Sequence, residues 1–284
     1  MELALGTVQF GLTYGIANNT GQTLGPEARA IIERAHAFGI RRLDTAAAYG
    51  NIEERLSELC GDLDVSIVSK IPPIGSQMPV AEALDFIQRS MERSKERLGP
   101  RLTGILFHDI ADLHGERGNA FWDRAIGVAE RYQLSLGGSC YDPASLLDTA
   151  ALRNFSMAQL PGNALDQRIA GHDLRAIEVT VRSALLQGLL MFSPRKAEAR
   201  LPAAVSALAR WSDWCEKKGM DRLVAAFSIV KGFRDARYCV IGVDNMAQLE
   251  ANLIAWDKAS AISAPDLAVS DPNIFDPRLW PRGS

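Results

Sequence analysis

Short β-type runs alternate with longer amphipathic helical patterns along almost the whole chain, and this order constrains the fold more than any other feature. The runs are Leu3–Phe10, Arg41–Thr45, Val65–Ile71, Leu102–His108, Ser135–Ser139, Phe155–Leu160, Val179–Leu185 and Tyr238–Val243. Helical patterns follow them at about Pro26–Gly39, Asn51–Cys60, Pro79–Leu98, Ala120–Tyr132, Pro143–Leu152 and Asp173–Ile177. Further patterns fall near Pro202–Lys218, Arg222–Gly232 and Met246–Lys258. The first helix keeps Ala28, Ile31, Ile32, Ala35 and Phe38 on one face, and the long third one keeps Val80, Leu84, Ile87, Met91 and Leu98. Repeated βα units imply a parallel sheet with helices outside, and eight of them allow closure. A doubly wound open sheet is the competing architecture, but no GxGxxG opens the first helix. The expectation is a single-domain parallel (β/α)8 TIM barrel over residues 1–262, followed by an irregular tail over 263–284 packed on or near it. A barrel of this kind uses roughly 250 residues, and the chain has 284. The last residues, Pro281 to Ser284, leave open whether they are native.

Charge and cysteine usage narrow the class. A net charge of −3 with no Lys/Arg run gives no support for nucleic-acid or membrane-surface binding. The cysteines Cys60, Cys140, Cys215 and Cys239 form no CxxC pair, which suits reduced cytosolic thiols and offers no metal knuckle. The N-terminus lacks the pattern of a signal peptide, and no apolar run approaches the ~20 residues of a membrane span. A soluble, cytoplasmic protein acting on a small molecule is expected, with no metal; the sequence carries no signal for or against self-association.

Barrel chemistry sits where strands end at their C-terminal side. Here Asp44 ends the second strand with Tyr49 in the loop beyond, Lys70 ends the third and His108 the fourth. Adjacent strands lie about 4.8 Å apart, so these side chains can share a pocket. A tyrosine with a pKa of about 10 is a poor acid at neutral pH, and a neighbouring ammonium lowers it. Lys70 is placed to do this, with Asp44 holding Lys70 charged and His108 orienting a carbonyl oxygen. Such a group can protonate a developing alkoxide while hydride arrives from a cofactor. Each residue also has a plain reading as a turn cap, a solvated charge or a structural imidazole; the coincidence of three consecutive strand ends favours chemistry.

The segments Leu5-Gly6-Thr7, Leu43-Asp44-Thr45-Ala46, Tyr49-Gly50, Ser69-Lys70 and Phe107-His108 resemble the aldo-keto reductase family. So do Gly138-Ser139, Gln159 with Pro161 and Asn163, Gln187-Gly188, and Ile241-Gly242 with Gln248 and Asn252. The resemblance implies a catalytic tetrad of Asp44, Tyr49, Lys70 and His108. It implies contacts of Ser139 and Gln159 with a nicotinamide carboxamide, and of Thr7 with the cofactor near the first strand. Ser183, Leu185 and Gln187 match a strand-7 segment along the pyrophosphate, and Gly242, Gln248 and Asn252 match the adenosine end. NADP(H) is the cofactor of family habit, with NAD(H) admitted, and the substrate is an aldehyde or ketone, sugar-like compounds included. Several positions depart from the pattern. Cys140 replaces the usual Asn, and Arg182 replaces a Tyr that stacks on the nicotinamide, a cofactor contact that a guanidinium can also make. No Lys or Arg follows Gly242, where Asp244 stands instead, as the helix N-cap or as a repellent of a 2′-phosphate. Tyr14 has equal claims to line the substrate pocket or to be surface, and Trp211 with Trp214 reads as core or interface.

Two other functions suit the same residues. Lys70 could act as a Schiff-base nucleophile in a lyase, although a partner such as Asp44 keeps a lysine protonated where that chemistry needs its pKa lowered. A non-catalytic NAD(P)-binding regulatory subunit is the third, kept open by Cys140 and Arg182.

Overall fold

The computed structural model describes residues 1–281; Arg282–Ser284, whose origin the sequence leaves open, lie outside them. The strands are β1 (Glu2–Gly6), β2 (Arg42–Asp44), β3 (Ser66–Ile71), β4 (Leu102–Phe107), β5 (Ser135–Ser139), β6 (Met157–Pro161), β7 (Glu178–Arg182) and β8 (Ala236–Ile241). They close in sequence order, all parallel, with β1 paired to both β2 and β8. The helices are α1 (Val8–Gly11), α2 (Gly25–Phe38), α3 (Ile52–Cys60), α4 (Val80–Leu98), α5 (Gly115–Tyr132) and α6 (Pro143–Arg153), then α7 (Pro194–Arg200), α8 (Val205–Lys218), α9 (Arg222–Lys231), α10 (Met246–Lys258) and α11 (Pro272–Phe275). The chain is thus a (β/α)8 barrel in one domain. No helix among the described residues is long and apolar enough to cross a membrane.

The helices dock by the stripe their spacing provides. In α4 the buried positions are Ala83, Ile87, Met91, Ser94 and Leu98, spaced four, four, three and four apart. The stripe is rotated from the expected one: Val80 is 40% exposed and Leu84 only partly buried. Likewise α2 buries Ala28, Ile31, Ile32 and Ala35 while Phe38 at its end stays exposed. Gly39, with φ of 112°, closes α2 in the left-handed conformation.

Several boundaries differ from expectation for identifiable reasons. The first strand stops at Gly6, and Val8–Gly11 coils into a helical turn, since a short apolar run does not by itself separate strand from helix. Helix α5 begins five residues earlier than expected, at Gly115. Its first turn includes Gly118, a poor helix former that is needed there because a Cβ would overlap the Leu113 carbonyl. The expected helix at Asp173–Ile177 is a turn; the helical residues after β6 are Arg168–Gly171. Strand β7 ends at Arg182, and Ser183, Leu186 and Gln187 then take positive φ (60°, 49° and 53°). This loop leads to α7, which the sequence reading passed over.

The segment after α10 is less irregular than expected, with short helical turns at Pro265–Leu267, α11 and Pro277–Leu279. It runs against the loop after β6, where Val269 N–H donates to Leu165 O at 2.9 Å and Gln167 Nε2 to Ala264 O at 2.8 Å. Ile274 and Trp280 join the core.

Candidate active site

At the C-terminal end of the barrel lies a cavity of about 540 Å³. Every residue expected to act in catalysis or to hold the cofactor lines it: Asp44, Tyr49, Lys70 and His108, with Thr7, Ser139, Gln159, Arg182, Ser183, Leu185, Gln187, Gly242, Gln248 and Asn252.

Asp44, the last residue of β2, is the hub. Its Oδ1 accepts from Lys70 Nζ at 2.7 Å and its Oδ2 from Gln159 Nε2 at 2.6 Å. Lys70 also donates to Thr45 O at 2.8 Å, and Thr7 Oγ1 donates to Asp44 O at 3.1 Å. Gln159 therefore commits one N–H of its amide to Asp44, and its second N–H and its oxygen are left for other contacts. Burial lowers the Lys70 pKa, and Asp44 opposes that shift. The Lys70 side chain is 1% exposed.

Tyr49 sits in the turn between β2 and α3, where its N–H donates to Ala46 O at 3.0 Å. Its ring lies edge-on to His108 with centroids 6.0 Å apart, and Lys70 Nζ is 5.5 Å from its centroid. The acidity expected of this phenol is corrected by the structure. Burial first, and the Asp44 charge second, push its pKa above the ordinary value, and the cation that opposes them is Arg182. The expectation overlooked how strongly a low-dielectric wall disfavours a phenolate. His108 is driven down to about 4 by burial, then by Lys70 and Arg182, so its imidazole is neutral at ordinary pH. Its Nδ1 is buried without a hydrogen-bond partner.

Arg182, at the end of β7, donates to Cys140 O at 3.1 Å and Ser183 Oγ at 3.4 Å, and its guanidinium stands 4.0 Å from the Tyr141 ring centroid. Arg278 stacks on the same ring at 3.6 Å. Cys140 is buried, its thiol pushed up to about 12 mainly by that burial, which suits a packing role.

The opposite end of the cavity is bounded by β8, α10 and the loop after β1. The N-cap of α10 is Asn245, which accepts from Gln248 N–H at 3.0 Å; Asp244, expected as a cap, is used otherwise. Its carboxylate accepts from Asn18 Nδ2 at 3.0 Å and Gln248 Nε2 at 3.1 Å. The loop after β1 also meets the loop after β7, where Gln187 Nε2 donates to Tyr14 Oη at 3.0 Å and Gln187 Oε1 accepts from Ile16 N–H at 3.3 Å. Tyr14 thus lines the cavity while staying 40% exposed at its mouth, so both of its readings hold.

The sequence reading missed Gln9, Asn18, Tyr141 and Lys196, all of which line the cavity. Tyr141 follows the end of β5 by two residues, a position that strand-end reasoning could have reached. Lys196 lies in α7, its ammonium 4.1 Å from the Phe192 ring centroid.

No family model matches the sequence, and no curated protein does; the likeness is structural. A Bacillus halodurans protein described as the aldo-keto reductase AKR11C1, in its holo form, is 18% identical, with a TM-score of 0.72 over 98% of this chain and 95% of that one. Two structures of Pseudomonas aeruginosa proteins provisionally described as aldo-keto reductases, one of them PA4992, have TM-scores of 0.61 and 0.63. They are 22% and 24% identical, and in both cases 89% of this chain and 88% of the other are covered. At these identities the likeness establishes the fold.

Proposed function

We propose that the chain is an aldo-keto reductase, a cytoplasmic NAD(P)H-dependent oxidoreductase that reduces an aldehyde or ketone to an alcohol with Tyr49 as proton donor. The observation that carries this reading is the meeting of Tyr49, His108 and the Lys70–Asp44 pair on one wall of a cavity that continues to α10. Its fold likeness to proteins described as aldo-keto reductases adds support.

A nicotinamide dinucleotide fits the residues present. Two buried polar atoms without partners, Gln9 Oε1 and His108 Nδ1, belong to side chains lining this cavity. Ser139 and the Gln159 amide would face the carboxamide, the Ser183–Gln187 loop the pyrophosphate, and Gly242, Gln248 and Asn252 the adenosine. When bound, the cofactor supplies the hydride.

The chain's own groups then have separable tasks. The raised pKa keeps the Tyr49 phenol protonated throughout the ordinary pH range, so the proton is always present to be given. It moves from Tyr49 Oη to the carbonyl oxygen as negative charge develops there. The neutral His108 imidazole offers one N–H to that oxygen and orients it. Lys70 and Arg182 are the cations that steady the phenolate left behind. Asp44 fixes Lys70 by charge and hydrogen bond, and Thr45 O sets the direction of the ammonium.

The Schiff-base reading has one observation in its favour: burial lowers the Lys70 pKa. Against it, Nζ already donates to Asp44 and Thr45. Borohydride reduction in the presence of an aldehyde separates the two, since the reductase reading expects no covalent adduct on Lys70. The decisive experiment is Tyr49→Phe, which should lower carbonyl reduction at least ~10²-fold. Binding of NADPH or NADH, followed by tryptophan quenching, should stay nearly intact. Unchanged turnover in Tyr49→Phe would overturn the assignment, and absence of saturable binding of either nucleotide would overturn the reductase and regulatory readings together.

A further inference from the structure

The cations around the reacting end of the cavity can be matched to their counterions one by one. Lys70 is paired with Asp44 at 2.7 Å. Arg278, stacked on Tyr141, is paired with Asp276 at 2.7 Å. Arg182 has no carboxylate among the described residues. The acids whose surroundings it shares, Asp44, Asp276, Asp109 and Asp142, lie instead against Lys70, Arg278, Arg278 and Arg168 respectively. A guanidinium has five N–H donors in a planar fork. Here the protein takes up only two contacts, with a neutral carbonyl (Cys140) and a hydroxyl (Ser183). The charge is placed at the chemistry: Tyr49, Lys70 and His108 all respond to it. Tyr141 fixes the guanidinium plane from one side at 4.0 Å. A partly buried cation held rigidly in a cavity, without a counterion, is a site waiting for an anion.

We propose that Arg182 binds a carboxylate of the substrate, so that the reductase takes carbonyl compounds bearing an acid group. This rests on the reductase reading for the carbonyl chemistry, but the anion site itself does not. The pyrophosphate of a bound dinucleotide is the other anion that could meet Arg182. The placement of Arg182 beside Tyr49 and His108, away from the Asp244 end, assigns it to the substrate.

The test uses the whole chain and two matched pairs of probes. Benzoate and benzamide are titrated calorimetrically into protein saturated with NADPH, and into protein alone. Benzoate should bind at least tenfold more tightly than benzamide, and Arg182→Met should erase that difference while Arg182→Lys keeps part of it. In turnover, the kcat/KM ratio of 4-carboxybenzaldehyde to methyl 4-formylbenzoate should exceed ten in the wild type and approach one in Arg182→Met, whatever the absolute rates. Circular dichroism checks that each variant is folded. Equal affinity for benzoate and benzamide in the wild type overturns the proposal, as does a ratio unaltered by Arg182→Met. Loss of NADPH affinity by the same factor as benzoate affinity overturns it too, because Arg182 then serves the cofactor. Selective benzoate binding with no turnover of either aldehyde leaves the anion site standing and sinks the reductase reading instead.

Discussion

Lys70 Nζ lies 2.7 Å from Asp44 Oδ1 in a pair almost wholly withdrawn from water, the lysine side chain 1% and the aspartate 10% exposed. A buried pair of this kind adds little net stability, but losing one member leaves a charge with no solvent and no partner. Asp44→Asn keeps shape and removes that charge. It should destabilise the fold by about 3–5 kcal/mol, which for a chain of this size lowers Tm by roughly 10 °C. Lys70→Met added to Asp44→Asn should recover part of the loss, because the orphaned ammonium is then gone. Thermal unfolding of the two single variants and the double variant measures the coupling; strict additivity would show the pair is not coupled.

His108 gives the site a pH dependence whose sign follows from its shift. Its folded-state pKa is about 4, against about 6.5 unfolded, because burial and the nearby Lys70 and Arg182 oppose the imidazolium. Between these values the unfolded chain binds the extra proton and the folded one does not. The stability contribution is therefore present above pH 6.5 and lost as pH falls towards 4, to the extent of roughly 3 kcal/mol. His108→Gln should flatten the decline of stability between pH 7 and pH 4, as read by urea denaturation at a series of pH values. The wild-type rate should likewise show no inflection near pH 6.5, since His108 does not change charge there.

The arrangement of the barrel was legible because it depends on patterns that survive in one dimension: β-type runs, amphipathic helices and the stops between them. The residues gathered in the cavity were legible for the same reason, since polar side chains ending apolar strands must emerge at one rim. What escaped depends on three-dimensional surroundings. Ser183, Leu186 and Gln187 carry side chains that disfavour the left-handed region, so nothing local announces that β7 stops at Arg182. The direction of the Tyr49 shift follows from how much water its ring loses, and residue type does not reveal that. Nor could spacing show that Asp244 reaches Asn18, distant in sequence, and leaves capping to Asn245.

The cavity wall carries opposed charges, and under the reductase reading they should govern which nucleotide is preferred. Asp244 presents a carboxylate fixed by Asn18 and Gln248, and Lys196 contributes an ammonium to the same cavity. A 2′-phosphate is repelled by the first and attracted by the second. Asp244→Asn should raise affinity for NADPH relative to NADH by about fivefold, the effect of roughly 1 kcal/mol between partly solvated charges. Lys196→Met should move the ratio the other way. Tryptophan quenching with each nucleotide measures both ratios, and a change of the same sign in the two variants would show that one of these charges does not face the nucleotide.

Gly11 determines where Tyr49 sits. A Cβ at Gly11 would overlap the Tyr49 carbonyl oxygen and lie 3.2 Å from Ile52 Cβ, so α1 and the Tyr49 turn pass closer than any side chain permits. Gly11 does not have positive φ, so the glycine serves approach alone. Gly11→Ala must move that turn outward, carrying the phenol away from His108 and from the carbonyl that the proposed function has it protonate. A shift of about 1 Å at a reacting group costs on the order of 10²-fold in rate, so kcat should fall that far while nucleotide affinity changes little. Gly39→Ala is the matched comparison: nothing lies within 4 Å of its Cβ, but its φ is 112°. That variant should lose about 1 kcal/mol of stability and keep its kcat. If Gly11→Ala behaves like Gly39→Ala, losing stability alone, then the close approach of the two loops is a packing feature with no hold on the position of the phenol.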